Sequence, residues 1–186
     1  MELLIKAENI SGNPREDNAN KKKLFSEERR PKTAAEHREQ WGFIEDDAIR
    51  ENISYQMQYL ECQVYLYNDY QMYLTLESLH FKNIMTTLSG VVECALYALI
   101  EQGAEKGNYV FNERTPFIRL IDDAYDMRVI DKDLKDYFHA LRKMRNFVHI
   151  SSLDFREYEA YDIEETNRYI EAMNRFIDSQ TTQSVL

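Results

Sequence analysis

The chain has 186 residues, 44 % of them hydrophobic, and carries a formal net charge of −10 at pH 7. This length suits one domain with a sizeable core. So acidic a chain is not a general nucleic-acid-coating protein, because phosphate binding is driven mainly by Lys and Arg. Only 5 Gly and 3 Pro are present, whereas an all-β fold needs turns at short intervals. The composition therefore predicts an all-α protein.

The first part of the chain is polar and lacks a sustained hydrophobic period. Residues 1–38 predict a mobile or loosely packed N-terminal arm. Its basic runs, Lys21-Lys22-Lys23 and Arg29-Arg30, could touch RNA, but such runs are usually solvated. We expect a helical domain over 39–180 and a frayed tail over 181–186.

Cysteine usage and hydropathy bear on cofactors and location. Cys62 and Cys94 lie inside apolar helical patterns, which favours buried free thiols. No metal-ligand spacing is present, so we expect no cofactor. The sequence shows no signal peptide, and no stretch approaches the roughly 20 apolar residues that span a bilayer. We therefore expect a cytoplasmic protein without membrane contact.

Apolar residues recur at spacings of three and four within 39–180, and this period predicts helices. One long helix should break near 68–79, and the next should end at Gly103. We expect about five main helices in an up-and-down bundle. Four of these helices have a predicted core face outside the segment 131–150. In chain order they comprise Ile53, Met57, Leu60, Val64 and Tyr67; Ile84, Leu88, Val91, Val92, Ala95, Leu96 and Leu99; Phe117, Leu120, Ile121 and Ala124; and, in the last helix, Ile163, Tyr169, Ile170, Met173 and Ile177.

Three helix starts have recognisable capping residues. Thr115 precedes Pro116, which predicts an N-cap followed by the first helical residue. Asp131 should cap the helix over 131–150, and Asp162 with Glu165 predicts a capping box for the last helix.

The helix over 131–150, DKDLKDYFHALRKMRNFVHI, has two distinct faces. Projected at about 100° per residue, one face is apolar and should pack in the core. Its members are Leu134, Tyr137, Leu141, Met144 and Val148. The neighbouring stripe holds Arg142, Arg145, Asn146 and His149 within an arc of about 100°. Two guanidinium groups, an amide and an imidazole can together hold a phosphate and move a proton.

Glu93 lies within the apolar run VVECALYALI and has two interpretations. It could point into the site and orient an Arg or the His. It could equally be a solvated acid at the polar edge of its helix, which is the commoner case. The tyrosines are similarly open to two interpretations, because they could stack bases or form core and dimer contacts. They include Tyr55, Tyr59, Tyr65, Tyr67, Tyr70 and Tyr73.

In the segment from Thr115 to Ile150, the sequence predicts a short helix, a brief turn and a helix ending in LRKMRNFVHI. This arrangement resembles the HEPN superfamily (higher eukaryotes and prokaryotes nucleotide-binding domains) over roughly residues 40–180. The family pattern is an Arg, commonly followed by a polar residue, with a His four to six residues further along. Here Arg145-Asn146 supplies the Arg-polar pair, and three residues lie between Arg145 and His149. Six residues separate Arg142 from His149, but Arg142 is followed by Lys143.

The resemblance implies a metal-independent endoribonuclease that cuts single-stranded RNA through attack of a 2′-hydroxyl, such as a toxin or defence effector. His149 would move a proton, Arg142 and Arg145 would stabilise phosphorane charge, and Asn146 would orient the phosphate or imidazole. The resemblance also implies a homodimer, which would supply two His residues for one acid and one base.

Two alternatives remain open. One is a non-catalytic HEPN-like dimer that binds nucleotide, RNA or a protein partner such as an antitoxin. The other is an unrelated helical bundle serving assembly, in which Arg145 and His149 join Glu93 in an interhelical polar network. In both, the four stripe residues would have no role in cleavage.

Overall fold

The computed structural model describes Phe25, residues 30–107, Asn112, 114–146 and 161–184, apart from the side chains of Asn146 and of 183–184. The described part contains six α-helices and no strand, which confirms the all-α prediction. They are α1 (Ala34–Gln40), α2 (Asp47–Asp69), α3 (Thr75–Glu105), α4 (Phe117–Asp126), α5 (Lys132–Asn146) and α6 (Ile163–Ser184). All six belong to one compact unit, Pro31–Leu186.

The helical part of the chain begins before residue 39. Thr33 and Glu36 form a capping box at the start of α1, so this turn has its own local signal. His37 is buried, and its Nε2 lies 3.1 Å from Oε2 of Glu61 on α2. The segment 34–38 thus joins the helical unit, while most of the predicted arm lies outside the described residues.

α3 is the central helix of the bundle, because it contacts α2, α4, α5 and α6. Its predicted core face is buried, apart from the half-buried Leu99. The break between α2 and α3 falls at residues 70–74, inside the predicted range. α3 and α5 run antiparallel, because Glu93 pairs with Arg145 while Gly103, ten residues further along α3, lies against Met127, just before α5.

α3 does not end at Gly103 as predicted. The helix continues to Glu105, and the left-handed residue that follows it is Gly107, with φ +88°. Gly103 instead gives Met127 room, since a Cβ at that position would lie 2.5 Å from the Met127 Cε atom. The glycine at the end of the helix is therefore Gly107, because it adopts the left-handed conformation that follows a helix C-terminus.

The core face of α5 differs from the prediction by one position. Leu134 and Leu141 are buried and Met144 is half-buried, but Tyr137 is 36 % exposed and Phe138 takes its place in the core. The Phe138 ring packs edge-on against Phe176 of α6, with ring centroids 5.6 Å apart. Positions 137 and 138 both fit a helical period with 134 and 141, so the neighbouring helix decides between them. The predicted Val148 lies outside the described residues.

The predicted caps have mixed outcomes. Asp131 caps α5, since its Oδ1 accepts a hydrogen bond from the Leu134 amide at 2.8 Å. Asp162 likewise accepts from the Glu165 amide at 2.7 Å at the start of α6, which is one half of the predicted capping box. The Thr115 prediction is wrong, because its hydroxyl donates to the Asn112 carbonyl and α4 begins after Pro116 without a side-chain cap.

α6 also departs from the prediction at both ends. Ile163, predicted to pack, is 48 % exposed, because it occupies the first residue of the helix, before the chain has turned onto the core. The helix runs on through Ser184, past the start of the predicted frayed tail. The remaining predicted members of its face are buried or half-buried, as in Tyr169 and Met173.

Contrary to the sequence expectation, α3 is long and apolar enough to cross a membrane by length and composition, the one such helix among the described residues. An 18-residue window has a mean hydropathy of 1.4, and 56 % of it is buried inside the protein. The same length and composition are typical of the central helix of a helical bundle.

Candidate functional site

The C-terminal half of α5 carries the predicted stripe, and α3 packs beside it. Glu93 of α3 and Arg145 of α5 form an ion pair across this contact, with 31 % and 39 % of their side chains exposed. Glu93 thus contacts an arginine of the stripe, as both the site interpretation and the interhelical polar network predict. The carboxylate holds the Arg145 guanidinium in one orientation and neutralises its charge.

Arg142 stands in a different electrostatic situation. Its side chain is half-buried, and its Nε atom is buried without a hydrogen-bond partner. Within the described part of the chain it forms no ion pair. An N–H group withdrawn from water without a compensating acceptor is unfavourable. An anion at this position would supply the missing acceptor, so Arg142 is the arginine of the stripe best able to bind a phosphate.

Asn146 and His149 are the other two members of the stripe. Asn146 is the last residue of α5, but its side chain and the whole of His149 lie outside the described residues. The structure therefore brings together Glu93, Arg142 and Arg145 at one end of the α3–α5 contact. Convergence with His149 stays a prediction.

A second polar cluster joins α4 to α5. It was not predicted from the sequence. Asp122 Oδ1 accepts from Lys135 Nζ at 2.7 Å and lies 3.2 Å from His139 Nε2. The Lys135 hydrogen bond is the main cause that holds the pKa of Asp122 below its ordinary value, with His139 contributing. Lys135 also lies 4.7 Å from the centre of the Tyr125 ring. The signal was available, because Lys135, His139 and Arg142 follow one another at helical spacing.

The same contact stabilises the charged form of Lys135. Its hydrogen bond to Asp122 raises the pKa of Lys135, so the ammonium and the carboxylate hold each other in the charged form. The cluster therefore presents a carboxylate flanked by an ammonium and an imidazole.

The remaining predicted features are spread over α2 and α3. Tyrosines at 55, 59, 70 and 73 are 49–62 % exposed, and Tyr67 stacks beside His80 with ring centroids 6.2 Å apart. Cys62 and Cys94 are half-buried free thiols, and burial raises the pKa of each. Across the described residues, no group of three or more His, Cys, Asp or Glu side chains has the arrangement of a metal site.

Comparison of the chain with protein-family models, with curated proteins and with solved structures finds no match. The resemblance to HEPN domains therefore rests on the sequence pattern alone.

Proposed function

We propose that this protein is a HEPN-like, metal-independent endoribonuclease acting on single-stranded RNA. One observation carries the proposal: Arg142 is half-buried, has no partner in the described part of the chain and lies on the same helix as Arg145, which Glu93 orients. A charge kept half-buried without a partner is costly to stability, and functional sites are where such costs are retained.

The two arginines have different roles in this proposal. Arg142 contacts a non-bridging oxygen of the scissile phosphate and stabilises the charge that develops there. Arg145 is held by Glu93 and lends its remaining N–H groups to the same phosphate. Asn146 orients the phosphate or the imidazole by hydrogen bonding.

His149 moves the protons. The 2′-oxygen forms a bond to phosphorus as its proton passes to a base, and the 5′-oxygen leaves as it gains a proton from an acid. The products are a 2′,3′-cyclic phosphate and a 5′-hydroxyl. One chain supplies one His149, and a homodimer with this face near its two-fold axis supplies the second. The exposed tyrosines of α2 and the following turn are candidates for such an interface.

A second function has one observation in its favour. Because the Glu93 carboxylate already neutralises Arg145, the stripe holds less positive charge than its sequence suggests. A non-catalytic HEPN-like dimer that binds nucleotide, RNA or a protein partner needs only Arg142 and its neighbours, and no proton transfer.

The experiment that decides between them uses purified protein and a single-stranded RNA in the presence of a chelator. Cleavage that leaves cyclic phosphate ends, and that stops when the RNA is replaced by the 2′-deoxy oligonucleotide of the same sequence, supports the nuclease. Binding of the RNA without any cleavage supports the second function. Neither binding nor cleavage contradicts both.

A further inference from the structure

Lys135, His139 and Arg142 lie on one face of α5. Their spacing of four and three residues puts them within an arc of about 60° around the helix axis. The same arc includes position 146, the predicted Asn146 of the stripe. The predicted site thus continues along the helix toward α4 as one line of nitrogen-bearing side chains.

Asp122 holds the first two of these side chains in place. One carboxylate oxygen, Oδ1, contacts both Lys135 Nζ at 2.7 Å and His139 Nε2 at 3.2 Å. The Lys135 and His139 side chains are 25 % and 23 % exposed, so they are fixed yet reachable. An ammonium has three donors and an imidazole has two nitrogens, so each keeps hydrogen-bonding capacity beyond Asp122.

The contrast with Lys132 on the same helix shows what is specific to this face. Lys132 pairs with Asp136 in the ordinary i,i+4 arrangement, and the two side chains are 74 % and 64 % exposed. That pair is solvated, as surface pairs usually are. Lys135 is instead oriented by a residue of another helix and by the Tyr125 ring.

We infer that Lys135 and His139 form a subsite for the phosphate of single-stranded RNA next to the one that Arg142 contacts. This inference rests on the proposed function. The midpoint of Lys135 and His139 lies five residues before Arg142, about 7 Å along the helix axis at the rise of an α-helix. That length is comparable with the separation of neighbouring phosphates in an extended strand. In a chain of net charge −10, an ammonium held in one orientation beside an imidazole would set where the strand can lie.

The test measures binding of 2′-O-methyl oligonucleotides, which lack the attacking hydroxyl. A dinucleotide with one phosphate is compared with an octanucleotide, each at several salt concentrations. Lys135→Gln and His139→Gln should each weaken octanucleotide binding about tenfold, as expected for a hydrogen bond to a charged group. Lys135→Gln should also lower the salt slope by about 0.7, as expected for one lost cation contact to a single strand. Neither should change dinucleotide binding, and Lys135→Arg should restore the octanucleotide affinity.

Lys132→Gln is the matched control, because it removes a Lys from the same helix outside this face. The subsite is overturned if the Lys135 and His139 variants bind the octanucleotide with the affinity and salt slope of Lys132→Gln. His139→Gln carries the test if Lys135→Gln does not fold. Failure of the proposed function is separate: in that case the wild-type protein binds neither oligonucleotide, or Arg142→Met binds both as tightly as wild type.

Discussion

Glu93 of α3 and Arg145 of α5 form an ion pair that joins the two antiparallel helices at the centre of the domain. The two residues are 52 positions apart in the chain, so the contact belongs to the tertiary fold. It fixes the end of α5 that carries the predicted site. It also distinguishes the two arginines, because Arg145 is paired whereas Arg142 forms no ion pair within the described part of the chain.

Removal of the carboxylate should have a small, measurable effect on stability. Both side chains are about one-third exposed, so Glu93→Gln should lower the free energy of unfolding by about 0.5–1 kcal/mol, as for a partly solvated ion pair. Urea denaturation measures this change. Glu164→Gln removes the exposed pair with Arg168 and serves as the control, with a change of less than about 0.5 kcal/mol. Equal effects of the two variants would show that the Glu93 contact contributes nothing specific.

Arg142→Met should separate stability from binding. The variant keeps the length of an apolar stem and removes a buried Nε that has no hydrogen-bond partner among the described residues. The free energy of unfolding should therefore stay unchanged or rise by up to about 1 kcal/mol. RNA binding should fall at the same time. Lys143→Met, at an exposed neighbouring position, should change neither quantity. A loss of about 2 kcal/mol or more in Arg142→Met would indicate a structural role instead.

Because Phe138 is buried and Tyr137 is partly exposed, alanine substitutions at these adjacent aromatic residues should differ strongly in their cost to stability. Phe138→Ala empties a fully buried site against Phe176 and should cost about 3–5 kcal/mol. Tyr137→Ala, at a partly exposed position, should cost about 1 kcal/mol or less. Thermal unfolding followed by circular dichroism gives both values. The reverse order would mean that α5 is rotated by about 100° from the orientation described.

Asp122 should make the stability of the protein sensitive to acid. Its pKa is lowered, first by the hydrogen bond from Lys135, so its contribution is complete above the unfolded-state value of about 3.9. That contribution is lost as the pH falls through the lower folded-state pKa. The wild-type advantage over Asp122→Asn in urea denaturation should therefore hold at neutral pH and shrink in acid. An advantage that does not change with pH would contradict the assignment.

The sequence predicted the elements whose signals are local or redundant. The apolar face of α3 is wide, so a modest error in its orientation still leaves the same residues buried. Asp131 and Asp162 stand directly before their helices and have no nearer competitor for their side chains. Thr115 does not cap α4, because its hydroxyl donates to the Asn112 carbonyl instead. The sequence alone does not indicate which of these two hydrogen bonds the hydroxyl will form.

The site was harder to predict because its contacts are long-range. Periodicity placed Arg142 and Arg145 on one face of α5, yet it cannot choose which arginine Glu93 will contact. Tyr137 and Phe138 both fit the helical period, and only Phe176 on α6 decides which one is buried. The Asp122–His139 contact spans 17 residues and depends on how α4 turns back onto α5.

The central claim concerns proton transfer by His149 at the stripe that begins with Arg142. The most direct test compares wild type and His149→Ala for cleavage of single-stranded RNA in the presence of a chelator, with thermal unfolding of both. The account predicts that wild type cuts the RNA and that His149→Ala does not. It predicts nearly equal melting temperatures and retained RNA binding for the two proteins. A wild-type protein that never cuts RNA, together with a sharply lower melting temperature for His149→Ala, would contradict the claim and assign His149 to a structural network.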